Sequence, residues 1–176
     1  AVVDKLGKGS FAKLKEKVKD RLFAIANDII KIAAARELVN GIQINTDKRI
    51  LEDFQKSAGF DYTKDQKRSI REIFTDLSSG RVMDRLLSGD VGFGKTEVAM
   101  NAMLAVILDG YQAIFVCPTT LLATQHYHSM QKRFSEFGIS IAKLDGKTPA
   151  KEKTHIKKGL ASGEIKLVIG THSLLE

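Results

Sequence analysis

A glycine-rich octapeptide near the middle of the chain carries the residue types that bind the phosphates of a nucleotide. Its residues are Gly89, Asp90, Val91, Gly92, Phe93, Gly94, Lys95 and Thr96, and Glu97 follows directly. The spacing fits G-x-x-x-x-G-K-[ST], in which glycines let several backbone N–H groups converge on one phosphate. Lys95 can then reach the β- and γ-phosphates, and the Thr96 hydroxyl can ligate Mg²⁺. We therefore expect a nucleotide-binding loop, with Lys95 and Thr96 as the candidate catalytic residues.

Two turns that carry hydroxyl groups follow apolar segments further along the chain. The first contains Thr119 and Thr120, and the second contains Gly170, Thr171 and His172. Ligands bind at the carboxyl ends of parallel strands, and helix N-termini offer free N–H groups to phosphate oxygens. The two turns are therefore candidates for contacts with a nucleic-acid backbone. Capping of a helix by Thr119 or Thr120 would use the same residues, and the local sequence does not separate the two interpretations.

The hydrophobic pattern predicts the elements that position these residues. From residue 60 onward we predict strands at 82–87, 113–117, 140–144 and 166–169, and helices at 63–79, 97–109, 121–134 and 151–160. This alternation predicts an α/β fold, with a partial, mostly parallel sheet and helices on both of its faces. Thr63 and Gln66 match a capping box at the start of the first of these helices.

A long amphipathic helix is predicted ahead of this α/β unit. Apolar residues step by three and four through Phe11, Leu14, Val18, Leu22, Ile25, Ile29 and Ile32. The helix would begin after a loop at 7–10, with Ser10 as its N-cap, and it would end before Asn40 and Gly41. At 1.5 Å for each residue it would be about 45 Å long, which suits a link between two domains.

Charge and element order suggest how the chain is divided. Residues 1–21 carry seven Lys or Arg and three Asp or Glu, so the first half of the long helix has a lysine-rich face. This face could contact nucleic acid, or it could simply be solvated. We predict a linker helix at 1–41, a connecting segment at 42–58 that includes a short helix at 51–58, and an α/β unit at 59–176.

Composition limits the class of protein. Among 176 residues, 43% are apolar and 28% are charged, and no apolar run approaches the roughly 20 residues that cross a bilayer. The start has no secretory signal pattern, and we expect the only cysteine, Cys117, to be a small buried side chain rather than a catalytic thiol.

We expect a cytoplasmic protein that has no membrane contact, and its net charge of +7 favours a polyanionic partner. Because the chain lacks an initial Met, we also expect it to be part of a longer protein.

Together, these segments resemble a superfamily 2 helicase and, most closely, the bacterial transcription-repair coupling factors. The resemblance rests on residues 84–99, 118–127 and 169–175, and on Leu6 and Gly7 followed by a long basic helix. The RecG-type fork helicases share most of these residues, but they usually have serine where Phe93 stands. The resemblance implies a RecA-like P-loop NTPase lobe preceded by a long helical linker, with ATP and Mg²⁺ as cofactors.

The same resemblance implies roles for individual residues. Phe60 would stack on adenine and Gln66 would read its edge, although a capping-box partnership with Thr63 accounts for Gln66 equally well. The residues near the DNA backbone would be Thr119, Thr120, Gly170, Thr171 and His172. At 144–148 the sequence is nearer the fork helicases than the coupling factors, so a DNA contact from that loop lacks support.

Coupling factors are ATP-driven double-stranded DNA translocases that push stalled RNA polymerase off damaged DNA and recruit excision repair. The resemblance implies this activity for the longer protein, which would bind RNA polymerase and repair proteins through its other parts. Such an ATPase needs an acidic pair after an apolar strand, one carboxylate for Mg²⁺ and one for the attacking water. No Asp-Glu pair follows an apolar strand in residues 1–176, and the sequence contains no second motor lobe. We therefore expect this chain to bind nucleotide and to hydrolyse it negligibly.

Three other interpretations stay open on the sequence. A fork-remodelling helicase of the RecG type fits the residues at 144–148. A non-enzymatic module, in which the basic helical arm binds DNA or a protein, fits the charge of residues 1–21. A small-molecule kinase would share the phosphate loop, but it leaves the two threonine turns and the helical arm unexplained.

Overall fold

A computed structural model describes residues 10–175 and divides the chain after residue 41 into two compact units. The predicted loop at 7–9, the lysine-bearing start of the chain and the last residue, Glu176, lie outside the described residues. The side chain of Ser10, predicted as an N-cap, is likewise not described. No helix in the described part of the chain combines the length and the hydrophobicity that a membrane span requires.

The first unit contains one long helix. This helix, α1, spans Ser10–Glu37, which confirms the predicted amphipathic helix to within two residues. Its apolar stripe is open to solvent, since the side chains of Leu22 and Ile29 are each 61% exposed. Packing within the first unit therefore does not bury the stripe.

The second unit alternates helices with parallel strands. Its helices are α2 (Arg49–Lys56), α3 (Lys64–Ser78), α4 (Lys95–Leu108), α5 (Thr120–Ser135) and α6 (Ala150–Ser162), and its strands are β1 (Ala113–Val116), β2 (Ile141–Leu144) and β3 (Leu167–Gly170). A short 3₁₀ helix, His172–Leu174, follows the last strand. The sheet has the order β1-β3-β2 with every pair parallel, so β3 is its central strand.

Alternate side chains of β3 pack against helices on opposite faces of the sheet. Leu167 and Ile169 are fully buried in a cluster that includes side chains of α2, α4 and α5. Val168 points the other way, into a cluster with Ile156 of α6. Because both faces of β3 are covered, all its residues are buried, and the sequence shows a continuous apolar run rather than alternation. The predicted α/β sheet with helices on both faces is confirmed.

Residues 42–58 contribute to this core through α2. Leu51 is 2% exposed and Phe54 is fully buried, and the Phe54 ring lies 5.6 Å from the ring of Phe134 in α5. Lys48, just before α2, forms a 2.9 Å ion pair with Asp109 at the end of α4. The short helix thus packs on the α/β unit.

The strand predicted at 82–87 is wrong, because these described residues have no regular secondary structure and lie outside the sheet. A strand needs a neighbour to satisfy its backbone groups, and none of β1, β2 or β3 pairs with this segment. Val82, Met83 and Leu86 are exposed, Leu86 by 90%, whereas Leu87 packs partly against the cluster of α3 and α4. Arg85 instead anchors the segment to α3, through contacts of 2.6 Å to Asp76 and 2.7 Å to Glu72.

Candidate functional site

Residues 89–96, here called the phosphate loop, precede and enter α4, and two glycines with positive φ shape them. Gly92 and Gly94 have φ angles of 86° and 72°, which residues with a side chain rarely adopt. Gly94 directly precedes α4, and its carbonyl accepts hydrogen bonds from the N–H groups of Glu97 (3.0 Å) and Val98 (3.3 Å). The loop therefore turns sharply into the helix and leaves the positive end of the helix dipole facing it.

Lys95 is folded onto the loop that precedes it. Its ammonium group donates to the carbonyl oxygens of Gly89 (2.7 Å) and Asp90 (2.6 Å). These two bonds place the positive charge inside the curl of the loop, beside the first turn of α4. A lysine charge and a helix N-terminus that face the same space form an anion-binding arrangement.

The donor set near Lys95 suits a magnesium ion carried by a nucleotide rather than one held by the protein alone. Thr96, in the first turn of α4, supplies one hydroxyl group and is half-buried. Among the described residues, no group of three or more His, Cys, Asp or Glu side chains could hold a metal ion. Mg²⁺ keeps several waters and phosphate oxygens as ligands, so one protein hydroxyl is a fitting contribution.

Gln66 joins α3 to the phosphate loop. Its side-chain oxygen accepts a 2.8 Å bond from the N–H of Thr63, and the Thr63 hydroxyl accepts one from the N–H of Gln66, which confirms the predicted capping box. Its side-chain nitrogen donates to the carbonyl of Phe93 at 3.1 Å. A side chain at position 94 would collide with that nitrogen. The amide of Gln66 is thus engaged at both ends.

A cavity of about 340 Å³ opens between α3 and the phosphate loop. Its lining includes Thr63, Gln66, Leu87, Phe93, Lys95 and Val98. The volume lies in the range of small-molecule sites, and apolar walls with a few polar groups are typical of such sites. The cavity therefore places Gln66 and Lys95 along one surface.

Phe60 does not share this cavity. Its ring is 53% exposed, lies 5.5 Å from the ring of Tyr62 and lines a separate depression beside α2. At the tip of the phosphate loop, Val91 is 97% exposed and Phe93 is 66% exposed. The structure thus brings Gln66, Phe93 and Lys95 together and leaves Phe60 apart.

The two threonine turns lie at the same edge of the sheet. Val116, the last residue of β1, pairs with Gly170, the last residue of β3, and the N–H of Cys117 donates to the Gly170 carbonyl at 2.7 Å. Thr171 directly follows β3, and Thr119 follows the end of β1 after Cys117 and Pro118. A side chain at Gly170 would collide with the carbonyl of Leu144 in β2, so glycine is needed for this close packing.

The polar groups at this edge differ in their availability. Thr119 caps α5, because its hydroxyl accepts a 3.3 Å bond from the N–H of Leu122, so the capping interpretation is confirmed as a structural role. Thr120 is half-buried, whereas His172 is exposed. Thr171 is 6% exposed, and its hydroxyl lies 3.0 Å from that of Ser173. Thr119 and His172 therefore present the most accessible groups.

The loop after β2 is closed by its own hydrogen bonds. Asp145 is 2% exposed, accepts from the N–H of Lys147 at 2.9 Å and lies 3.0 Å from the ammonium of Lys143. Burial opposes ionisation of Asp145, but these bonds and one from Thr148 outweigh it and hold its pKa below the ordinary value. The loop uses its polar groups internally, which gives no support for a nucleic-acid contact there.

A buried polar cluster lies behind the phosphate loop. Arg133 of α5 donates at 2.8 Å to the carboxylate of Glu97, which also accepts a 2.5 Å bond from the Tyr62 hydroxyl. Asn101, one turn after Glu97, donates to the Tyr62 oxygen at 3.2 Å. Burial and the bond to Glu97 raise the pKa of Tyr62 to about 12. Glu97 therefore faces the interior and not the phosphate loop.

Tyr62 and Arg133 were not among the candidates from the sequence. A signal was available in α4, where Glu97 and Asn101 are four residues apart in an otherwise apolar helix. Residues at that spacing share a helix face, and buried polar groups require partners. The identity of those partners, 35 and 36 residues from Glu97, could not be read from spacing.

The family model of the DEAD/DEAH box helicases matches residues 63–176. The chain is 52% identical over 174 residues to the transcription-repair-coupling factor of Helicobacter pylori strain J99, covering 99% of this chain and 17% of that protein. It is 43% identical over 171 residues to the coupling factor of Bacillus subtilis strain 168, covering 97% of this chain and 14% of that protein. The chain thus spans less than a fifth of the length of these relatives.

Solved structures of helicases share the fold. RecG bound to a three-way DNA junction superimposes with a TM-score of 0.80 at 42% identity, over 94% of this chain and 23% of that one. A hypothetical ATP-dependent RNA helicase from Sulfolobus tokodaii gives a TM-score of 0.54 at 18% identity, over 71% of this chain and 34% of that one. The similarity to RecG is one of both sequence and fold, whereas the similarity to the Sulfolobus tokodaii protein is one of fold alone.

Proposed function

Because the chain belongs to the DEAD/DEAH box helicase family, we propose that it is the nucleotide-binding portion of an ATP-driven double-stranded DNA translocase. The high identity to transcription-repair-coupling factors supports a role in transcription-coupled DNA repair. The complete protein would displace stalled RNA polymerase, would engage excision-repair proteins through other parts, and would act in the cytoplasm.

The observation that carries this proposal is the geometry of the phosphate loop. Gly92 and Gly94 turn the backbone into α4, and Lys95 lies inside the resulting curl. The loop amides and the lysine would bind the β- and γ-phosphates of ATP, with Thr96 as the protein ligand of the accompanying magnesium ion. Bound Mg²⁺ would neutralise charge on the phosphate oxygens.

Adenine recognition is proposed for Gln66, and its place on the cavity wall beside Phe93 supports this role. Reading a base would require the Gln66 amide to exchange one of its present bonds, to Thr63 or Phe93, for one to adenine. The role of Phe60 as a stacking partner would require its exposed ring to turn toward the same cavity. Its exposure of 53% leaves room for that movement.

Contact with the DNA backbone is proposed for the edge of the sheet that carries both threonine turns. The shared edge supports it, because Gly170 ends β3, Thr171 and His172 follow it, and Thr119 and Thr120 follow the end of β1. Hydroxyl and N–H groups at such positions bind phosphate without reading sequence. Exposed His172 and the first turn of α5 would make the first contacts.

We expect this chain to bind nucleotide while turning it over negligibly, since no Asp-Glu pair follows β1, β2 or β3. Lys95→Ala removes the charge that faces the phosphates, and charged hydrogen bonds of this kind contribute about 1.5–3 kcal/mol. The affinity for a fluorescent ATP analogue with Mg²⁺ should therefore fall by about tenfold or more. Fluorescence titration measures the affinity, and phosphate release with and without duplex DNA measures turnover.

Equal affinities of the wild type and Lys95→Ala would contradict the nucleotide-binding role. Robust phosphate release that Lys95→Ala abolishes would contradict the expected lack of hydrolysis and leave binding intact. Lys157→Ala is the matched control, because it removes an exposed lysine from the same unit without touching the loop.

Fork remodelling is the second candidate function. The 42% identity to the RecG structure and the closed loop at 144–148 favour it. A fork-remodelling protein should bind a three-way junction more tightly than a linear duplex of equal length, whereas a duplex translocase should bind both equally. Competition between the two DNAs in fluorescence anisotropy distinguishes the candidates.

A further inference from the structure

The guanidinium group of Arg133 joins three elements at one buried point. Its Nη2 atom lies 2.8 Å from the Glu97 carboxylate in α4 and 2.8 Å from the Phe54 carbonyl in α2, and Nη1 lies 2.6 Å from the Ser57 hydroxyl. The group also stacks over the Phe54 ring at 4.1 Å. The side chains of Arg133 and Glu97 are only 13% and 9% exposed, so solvent screens the pair weakly.

The two residues of this ion pair are connected to the two proposed ligand sites, Glu97 to the phosphate loop and Arg133 to the DNA edge. Glu97 is one residue after Thr96 and two after Lys95, and its own N–H is bonded to Gly94 of the phosphate loop. Arg133 is in the last turn of α5, and the first turn of the same helix follows Thr119 at the proposed DNA edge. Sixteen helical residues make a rod of about 24 Å between those ends.

The cluster of Arg133, Glu97 and Asn101 contains a buried ion pair and unpaired polar atoms, which a purely stabilising cluster would not require. A buried ion pair is weak evidence for stability, because an apolar pair of equal volume often serves as well or better. In the described part of the chain, Arg133 Nε and Asn101 Oδ1 are buried without a hydrogen-bond partner. Buried polar atoms without partners cost stability, so these two atoms are not explained by stabilisation of the fold.

We propose that Arg133 is a positioning residue that couples the two sites through Glu97. A displacement of the phosphate loop moves Glu97, the ion pair transmits it to Arg133, and α5 carries it to the threonine turn. By reciprocity, DNA bound at that turn biases the phosphate loop through the same contact. This inference rests on the proposed function, since it requires that nucleotide and DNA both bind.

The test measures the affinity for a fluorescent ATP analogue with Mg²⁺, in the absence and in the presence of a saturating linear duplex. The ratio of the two affinities is the coupling, which we expect to be about fivefold or more in the wild type. Arg133→Met should bring the ratio close to one. Lys132→Met is the matched control, because it removes the same charge from the same turn at an exposed position, and its ratio should equal that of the wild type.

A second variant distinguishes coupling by Arg133 from a role of Arg133 in stability alone. Arg133→Met leaves the Glu97 carboxylate without its cationic partner, which lowers the melting temperature. Adding Glu97→Gln removes that buried charge, so the Glu97→Gln/Arg133→Met protein should recover melting temperature while its coupling ratio stays near one. A ratio that recovers together with melting temperature would overturn the proposal, as would a wild-type ratio in Arg133→Met.

The outcomes also separate this inference from the proposed function. If the wild type binds no nucleotide, the proposed function itself fails, and the coupling fails with it. If nucleotide and duplex both bind and the ratio is one in the wild type, the proposed function stands and only the role of Arg133 is overturned.

Discussion

The carboxylate of Glu97 is buried beside the hydroxyl group of Tyr62 and accepts a hydrogen bond from it. Burial, and then the negative charge of Glu97, disfavour a phenolate, which is why the pKa of Tyr62 is raised to about 12. Tyr62 therefore remains a hydrogen-bond donor to Glu97 throughout the physiological pH range. The consequence for stability appears only at alkaline pH.

Tyr62 should make the free energy of unfolding fall as pH rises from 10 to 12. In the unfolded chain its phenol loses a proton near pH 10, while the folded state retains that proton to about pH 12, so the unfolded state is favoured across this window. At about 1.4 kcal/mol for each pH unit, the contribution is about 2–3 kcal/mol. Urea unfolding of the wild type and Tyr62→Phe at pH 9 and 12 measures it, and identical pH dependence in both proteins would refute it.

Gly94 should tolerate a side chain less well than Gly92, although both have positive φ. Alanine in the left-handed region costs about 1–2 kcal/mol at either position. At position 94 the added Cβ also collides with the Gln66 amide, whereas at position 92 nothing lies within 4 Å. Gly94→Ala should therefore lower both stability and nucleotide affinity more than Gly92→Ala. Thermal melting and nucleotide titration check this, and equal effects would argue against the Gln66 contact.

At the scale of elements, the short helix α2 packs on the core through the buried side chains of Leu51 and Phe54. Phe54 is fully buried, with ring contacts to Phe134 and Phe137 at 5.6 and 5.2 Å and the Arg133 guanidinium above it. The contacts with Phe134 and Arg133 join α2 to α5 across about 80 residues of sequence. The helix belongs energetically to the core of the α/β unit.

Phe54→Ala should destabilise the second unit by about 3–5 kcal/mol, the range for removing a buried ring. Phe60→Ala is the control, because its ring is half-exposed in the neighbouring depression and most surface changes alter stability by about 0.5 kcal/mol or less. Urea denaturation of both variants gives the two values. Similar small losses would mean that α2 is a loosely attached connection.

At the scale of the whole molecule, the net charge of +7 and the exposed lysines of α1 raise the question of DNA binding. A lysine that contacts phosphate steepens the salt dependence of affinity, by about 0.9 in the log–log slope for each contact. A solvated lysine leaves the slope unchanged. Salt titration therefore separates the two interpretations of the basic face.

We expect the lysine face of α1 to be solvated, with duplex binding carried by the sheet edge. Replacing Lys13, Lys15, Lys17 and Lys19 by glutamine should leave the log–log salt slope of duplex affinity within about one unit of the wild type. Fluorescence anisotropy at four salt concentrations measures it. A log–log slope that becomes shallower by about three units or more would instead assign DNA binding to the lysines of α1.

The spacing of residues along the sequence was sufficient to predict many of the local elements of this protein. The phosphate loop, the capping box of Thr63 and Gln66, and the helix α4 follow from backbone geometry and short-range hydrogen bonds, which depend on neighbours a few residues apart. The order of helices and strands likewise predicted a parallel sheet with two covered faces. The resemblance to helicases was carried by such local segments, and the family match confirms it.

Only the tertiary structure decided which distant groups meet. It left 82–87 outside the sheet, because a strand exists only where a neighbour pairs with it, and it separated Phe60 from the cavity of Gln66. It also turned Glu97 away from the phosphate loop toward Arg133, 36 residues later in the chain. Sequence spacing determines what one element can do alone, whereas pairing and burial between elements depend on how the chain packs in three dimensions.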